Sequence, residues 1–328
     1  MDEIILNYIN KDSNNTQYSS DEIQKAINMI KNFINGLDKC KIVEGGVQRK
    51  LSQLEEMILI YDFVANRNYV VQPDSHSIVG VLNSGNSVCE GFTKLSELLC
   101  KLRGIPFLYK NVNTQNGGES HGNFQVIVHD KDGIAHCLHC DPTIDCLEDG
   151  KENLTYNAFL IETSHIKDFY RQQSPVPGIT EVFWNISVKQ LTAEQIKASF
   201  ESVSSSDEFL AMMRGENVQD IVTSRYNDLR SNIAELGSFL GVEVPNLDTN
   251  EQVLEMYQRL LERYNEISVP LDRETLSDTI RNIYRQNFPE IIMPGIEQRI
   301  NATYENEKRF WNGQVEEKNE NQDIGHRK

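Results

Sequence analysis

The chain has 328 residues with 49 acidic and 32 basic side chains, and its formal net charge is −17. Because a negative surface is repelled by phosphate backbones and by anionic membranes, we expect neither nucleic acid nor a membrane surface as a partner. The length allows about two domains, or one domain with a helical extension.

The N-terminus and the cysteines bear on the compartment. The first residues, MDEIILNYINKDSNN, have acidic side chains early and no sustained apolar run, which is typical of neither a signal peptide nor a membrane anchor. A cytoplasmic location is therefore expected, although export without a cleavable leader leaves no such pattern. A chain of this size does not need disulfides, so we expect its six cysteines to be reduced.

Region 1–70 is predicted to form amphipathic helices that pack on the rest of the chain. Ser19 and Glu22 have the spacing of a capping box, and apolar residues then recur at intervals of three and four until Gly36, which predicts a helix that ends there. A second apolar stripe over 51–65 predicts another helix.

Region 71–190 has the character of an α+β domain. An apolar stripe between Cys89 and Gly104 predicts a helix, and a strand is predicted over 105–112. Two alternating runs within 121–141 flank the turn Asp-Lys-Asp-Gly, which predicts a hairpin.

Region 191–312 is predicted to be mostly helical, and the polar tail 313–328 is predicted to be disordered. Three helical segments are predicted within it: 218–236, 251–267 and 274–288. Gly237 is predicted to end the first of them. Their apolar stripes are expected to face a core, and a protein partner bound through this region is the alternative.

Three residues in the central region have the types and positions that thiol catalysis needs. Cys89 stands at a predicted helix start, where unpaired N–H groups and the helix dipole stabilise a thiolate. Gly91 would let a substrate backbone approach the thiol. His121 begins one hairpin strand and Asp141 ends the next, so the two are expected to be neighbours. The sequence therefore predicts Cys89 as nucleophile, His121 as its base and Asp141 as the group that orients the base.

Several short motifs carry a resemblance to a known family: Val88–Phe92, Leu99–Cys100, Arg103–Pro106, His121 with Asn123, and Asp141–Asp145. Over residues 50–150 the chain resembles the transglutaminase-like superfamily of papain-type cysteine enzymes. The resemblance implies a papain-like α+β core with Cys89, His121 and Asp141 as a catalytic triad. That superfamily includes transglutaminases, some peptidases and peptide N-glycanases.

Two motifs of this chain depart from the family pattern. An aromatic residue often follows the histidine where Gly122 and Asn123 stand, and the second motif often ends in Trp where Ile144 stands. The backbone N–H of Cys89 is one expected oxyanion donor. Asn83, in the predicted loop six residues earlier, has the offset at which papain-like enzymes place a glutamine.

The expected reaction is attack of the Cys89 thiolate on a carboxamide or peptide carbonyl of a protein or peptide substrate. It leaves a thioester that water hydrolyses or an amine captures, so the chain would be a hydrolase or an acyltransferase. This chemistry calls for no cofactor and no metal. The alternative is a non-catalytic protein-interaction module on a retired transglutaminase-like fold.

Cys137 and Cys140 have Cys-x-x-Cys spacing, which can supply two zinc ligands, and His136 and His139 are nearby. Residues 137 and 140 of a strand point to opposite faces, so the pair cannot chelate one ion without a turn. Structural cysteines are the preferred interpretation, and Cys100 is likewise expected in the core.

Overall fold

A computed structural model describes a large part of the chain. The described residues are 1–12, 18–113, 120–147, 155–161, 194, 197–198, 201, 213–215, 217–267, 269–288 and 293–311. The tail predicted at 313–328 lies outside them. Within these ranges the chain is α+β, and no described helix is both long enough and apolar enough to cross a membrane.

The helices of the described residues are α1 (Asp2–Asp12), α2 (Ser20–Lys39), α3 (Gln53–Ala65), α4 (Ile78–Ser84), α5 (Cys89–Arg103), α6 (Pro142–Asp145), α7 (Val218–Leu240), α8 (Asn250–Ile267), α9 (Arg273–Asn287) and α10 (Met293–Trp311). A short 3-10 helix spans Pro73–His76. The strands are β1 (Lys41–Glu44), β2 (Val47–Lys50), β3 (Asn68–Tyr69), β4 (Asn86–Ser87), β5 (Phe107–Asn113), β6 (Ser120–His129) and β7 (Ala135–Cys140).

The central sheet has the order β5-β6-β7, and both pairs are antiparallel. The predicted hairpin is confirmed as β6-β7, with Gly133 at φ +79° in the turn. Phe124 pairs with Cys140 in this register. The start of β6 therefore lies beside the end of β7, which is the end of the sheet nearest α5.

Region 1–70 is not only helical. A two-stranded hairpin, β1-β2, turns at Gly45 and Gly46, whose φ angles are +57° and +82°. Ile42 of β1 is fully buried in the core. Helix α2 also runs past Gly36, because Leu37 continues the buried stripe and Gly36 lies on the exposed side.

The predicted end of the helix at Gly237 is also wrong. Helix α7 continues to Leu240 and closes at Gly241, which has φ +67°. A Cβ on Gly237 would lie 2.3 Å from Val244 Cγ2. Glycine is needed there because the chain after the helix packs closely on it, and not because the helix stops.

Two apolar clusters cover the two faces of the central sheet. The main core joins one face to the N-terminal helices and to α5, α9 and α10, and it includes Phe92, Phe124, Cys140, Ile283 and Ile300. The second core joins the other face to α7 and α8, and it includes Leu108, Ile127, Cys137, Leu229 and Tyr257. The helical C-terminal region therefore packs on both sides of the sheet.

The cysteines fit this division. Cys137 lies in the second core and Cys140 in the main core, which confirms that the two residues point to opposite faces. Cys100 is fully buried in the main core, as expected. All six cysteines are free thiols.

Candidate active site

Cys89 is the first residue of α5. The preceding residue, Val88, has an extended backbone and donates its N–H to Ser75 O at 3.2 Å. The apolar face of α5 is buried in the main core, and this packing fixes the position of the helix. Cys89 itself is partly accessible. The thiol thus lies at the positive end of a 15-residue helix with one side open.

Gly91 has a different role from the one expected. A Cβ at this position would lie 2.3 Å from Ser75 O and 2.7 Å from Ser87 Oγ. Both neighbours belong to the segment that leads into α5. Glycine therefore lets α5 pack on its own preceding loop, and Gly91 is buried away from any substrate.

His121 and Asp141 lie side by side at the end of the β6-β7 hairpin. The distance from His121 Nε2 to Asp141 Oδ2 is 2.6 Å, and the Asp141 side chain is 0% exposed. The other carboxylate oxygen, Asp141 Oδ1, accepts the N–H of Thr143 at 3.0 Å. With Nε2 engaged by the carboxylate, Nδ1 is the ring nitrogen that can exchange a proton with the thiol.

The backbone of Asp141 is held by two further contacts. Its N–H donates to Ala158 O at 2.9 Å, and Tyr61 Oη lies 3.0 Å from its carbonyl oxygen. The Tyr61 hydroxyl also donates to Asp145 Oδ2 at 2.6 Å. Sequence reasoning placed Tyr61 in an apolar stripe and missed this role. A tyrosine in a core stripe is the available signal, because its buried hydroxyl needs a partner.

Electrostatics favour a thiolate beside an imidazolium. Burial raises the pKa of the Cys89 thiol, but hydrogen bonds with His121 and with the backbone N–H of Gly122 lower it by more, so the pKa lies below its ordinary value. Burial lowers the pKa of His121, whereas the charge of Asp141 and the hydrogen bond to it raise that pKa to about 10. The structure therefore brings the three predicted residues together, while their catalytic roles stay a prediction.

The other cysteines differ from Cys89. Burial raises the thiol pKa of four of them: Cys40, Cys100, Cys137 and Cys140. Cys146 is buried, and its thiol donates to Thr143 O at 3.1 Å. Cys89 is thus the one cysteine that is partly accessible, and its pKa is lowered.

Asn83 lies in helix α4 and not in the predicted loop. Its side-chain Nδ2 donates to Glu22 O at 3.1 Å, which ties α4 to α2. The loop prediction failed because Ser77 caps a helix of only seven residues, which is too short for a clear periodic pattern. The oxyanion role of Asn83 stays a prediction.

Tyr109 and Thr93 also lie close to the residues around the thiol, and the sequence did not identify either of them. A Cβ on Gly122 would lie 2.9 Å from Tyr109 Oη and 3.4 Å from Thr93 Oγ1. Thr93 Oγ1 donates to Cys89 O at 2.8 Å. Strand alternation offers a signal for Tyr109, since it is two residues from Phe107, whose ring packs against the main core.

Glu90 and Lys94 form ion pairs near the start of α5. Glu90 Oε2 lies 2.9 Å from His76 Nδ1, and Glu90 Oε1 lies 2.7 Å from Lys94 Nζ. Lys94 also pairs with Asp12 of α1. These pairs connect α1 and the 3-10 helix to the helix that carries Cys89.

A metal centre has no support within the described ranges, where no group of three or more His, Cys, Asp or Glu side chains is placed to hold an ion. His139 is fully buried, and burial lowers its pKa to about 3, so its ring is neutral. A scan of protein-family models finds none that matches the chain, and a search of curated proteins finds no significantly similar sequence.

Proposed function

We propose that the chain is a transglutaminase-like cysteine enzyme that attacks a carboxamide or peptide carbonyl through Cys89, on a papain-like core. The observation that carries the proposal is the buried Asp141 carboxylate 2.6 Å from His121 Nε2, with the His121 ring interacting with the thiol of Cys89 at the start of α5. The resemblance of the surrounding motifs to the transglutaminase-like superfamily also supports it.

The first half-reaction forms a thioester. The Cys89 sulfur bonds to the carbonyl carbon, and the carbonyl π electrons move to the oxygen, which the Cys89 N–H at the helix start can stabilise. When the oxyanion collapses, the C–N bond breaks and the imidazolium of His121 protonates the departing nitrogen. Ammonia or an amine leaves, and the acyl group stays on Cys89.

The second half-reaction returns the free thiolate. Neutral His121 removes a proton from water or from an amine as that nucleophile attacks the thioester carbon, and the C–S bond then breaks. Water gives a carboxylic acid, which is amide hydrolysis or deamidation. A lysine amine gives a new amide, which is acyl transfer. Asp141 stabilises the imidazolium in both halves and keeps its ring in place.

The experiment is a turnover assay on the purified full chain with a library of glutamine-containing and amidated peptides. Ammonia release and peptide masses are followed with and without hydroxylamine, which converts a thioester to a hydroxamate. We expect hydroxamates with the wild type and none with Cys89→Ala, while the control Cys40→Ala, which changes a buried cysteine between α2 and β1, keeps full activity. Absence of any hydroxamate, ammonia or cleaved peptide from the folded wild type would refute the proposal.

A further inference from the structure

Tyr109 lies at the end of the sheet that faces Cys89. It pairs with Phe124 across β5 and β6, and the neighbouring Phe107 ring stacks on Phe124 at 4.7 Å. Phe124 is fully buried, whereas Tyr109 is 41% exposed. The face of the sheet that packs on α5 therefore opens to solvent at Tyr109, beside the partly accessible thiol.

The hydroxyl of Tyr109 occupies space that only a glycine leaves open. A Cβ on Gly122 would lie 2.9 Å from Tyr109 Oη and 3.4 Å from Tyr109 Cε2. Gly122 has no left-handed backbone that would call for glycine, and glycine inside a strand weakens the strand. The missing side chain is explained by the close approach of the tyrosine.

Gly122 also connects Tyr109 to the reacting sulfur. Its backbone N–H hydrogen-bonds the Cys89 sulfur, so the tyrosine that rests on Gly122 lies next to the thiol. Burial and the charges of Cys89 and Glu90 raise the pKa of Tyr109. The phenol is therefore protonated at neutral pH, and it can donate a hydrogen bond toward the site.

Within the described part of the chain, no acceptor is hydrogen-bonded to the Tyr109 hydroxyl. Two buried tyrosines elsewhere in the fold have such partners, Tyr61 in Asp145 and Tyr156 in Asp62. Tyr109 thus presents an unused donor and an apolar ring at the open side of the thiol. A hydroxyl donor beside an aromatic ring can bind a ligand that has a carbonyl oxygen next to an apolar surface.

We propose that Tyr109 is a substrate-contacting residue of the Cys89 site, whose hydroxyl donates a hydrogen bond to a carbonyl oxygen of the bound peptide. The proposal rests on the proposed function and adds a binding determinant to it. Tyr109 keeps its proton throughout, so it binds and orients the substrate while His121 carries out all proton transfers. Gly122 is the position that makes room for this contact.

The test compares Tyr109→Phe with the wild type on a peptide that the wild type turns over. Phenylalanine keeps the ring and removes the donor, so we expect kcat/KM to fall about tenfold, the effect of one hydrogen bond to the substrate. The rate of Cys89 alkylation by iodoacetamide should stay the same, because the thiolate depends on His121. Tyr304→Phe, on α10, is the matched control and should change neither rate.

A second pair of variants tests the contact with Gly122. Gly122→Ala should displace the hydroxyl and lower kcat/KM, but in the Tyr109→Phe background it should cost much less, because the clashing atom is gone. Unchanged kcat/KM in Tyr109→Phe, on an enzyme that forms the Cys89 thioester, would overturn the Tyr109 proposal and leave the proposed function intact. If the wild type forms no thioester, both proposals fall.

Discussion

At the scale of single residues, the environment of Cys89 shifts the pKa of its thiol in the opposite direction from the pKa shifts of the buried thiols. Its pKa is lowered by His121 and by the Gly122 N–H, whereas burial raises the pKa of Cys40, Cys100 and Cys137. The residue types and their order predicted this thiol. Alternation along β5 indicates which face of the sheet Tyr109 lies on, but its approach to Cys89 depends on the register of β5 against β6, which the sequence does not determine locally.

Selective alkylation tests the thiolate directly. At a pH of about 6 an ordinary thiol with a pKa of roughly 8.5 is only ~0.3% ionised. Iodoacetamide should therefore label Cys89 first, and His121→Ala should slow that labelling by about ten- to a hundredfold because it removes the stabilising cation. Adducts are mapped by mass spectrometry. Even labelling of all cysteines, unchanged in His121→Ala, would show an ordinary thiol at position 89.

The pH dependence of kcat/KM follows from the same two groups. Activity should rise as pH increases through the lowered pKa of Cys89 and fall as pH increases through the raised pKa of His121. Asp141→Asn removes the charge that raises the His121 pKa, so the basic limb should move to lower pH and kcat should drop by up to about 10⁴-fold. A basic limb that stays in place would contradict the role of Asp141. Circular dichroism shows whether the variant remains folded.

At the scale of elements, short sequence motifs predicted the features that depend on neighbouring residues, such as the ends of helices. The capping box at Ser19 and the glycine after Arg103 mark helix ends correctly. The β1-β2 hairpin was missed because its strands are four residues long and mostly exposed, so little alternation is visible. Helix α4 was missed for the same reason, since seven residues carry too little periodicity.

Two glycines in helices make a matched pair of tests for packing. Gly91→Ala adds a methyl 2.3 Å from Ser75 O, so we expect a loss of about 1–3 kcal/mol in the free energy of unfolding. Gly36→Ala meets nothing within 4 Å and should stabilise α2 by about 0.5–1 kcal/mol. Urea denaturation measures both. A neutral Gly91→Ala would mean that α5 and the Ser75 segment do not pack as described.

At the scale of the whole molecule, one buried carboxylate joins distant parts of the chain. Asp62 Oδ1 lies 2.6 Å from Arg299 Nη2, and Asp62 Oδ2 accepts the Tyr156 hydroxyl at 2.9 Å. Tyr284 donates to the same oxygen. The main core thus depends on α3, α9 and α10 together, which no local pattern could predict, because the partners are far apart in sequence.

Removing one partner of the buried Asp62–Arg299 pair should lower the free energy of unfolding. Arg299→Met leaves the buried Asp62 side chain without its ionic partner, so we expect a loss of about 3–5 kcal/mol in the free energy of unfolding. Unfolding should remain a single transition by fluorescence and circular dichroism. Lys31→Met, which breaks the more exposed pair with Asp2, is the control and should cost at most about 1 kcal/mol. A separate early transition of the C-terminal helices in the wild type would show that the two parts are independent.

The contact between Asp62 and Arg299 spans 237 positions, so it can form only after α10 has been synthesised. Tyr61 of α3 contacts the Asp141 carbonyl, and the adjacent Asp62 lacks its charged partner until α10 has left the exit tunnel. A nascent chain long enough to contain Cys89, His121 and Asp141 still has an open main core. We therefore expect the surroundings of Cys89, His121 and Asp141 to be completed only after α10 has been synthesised.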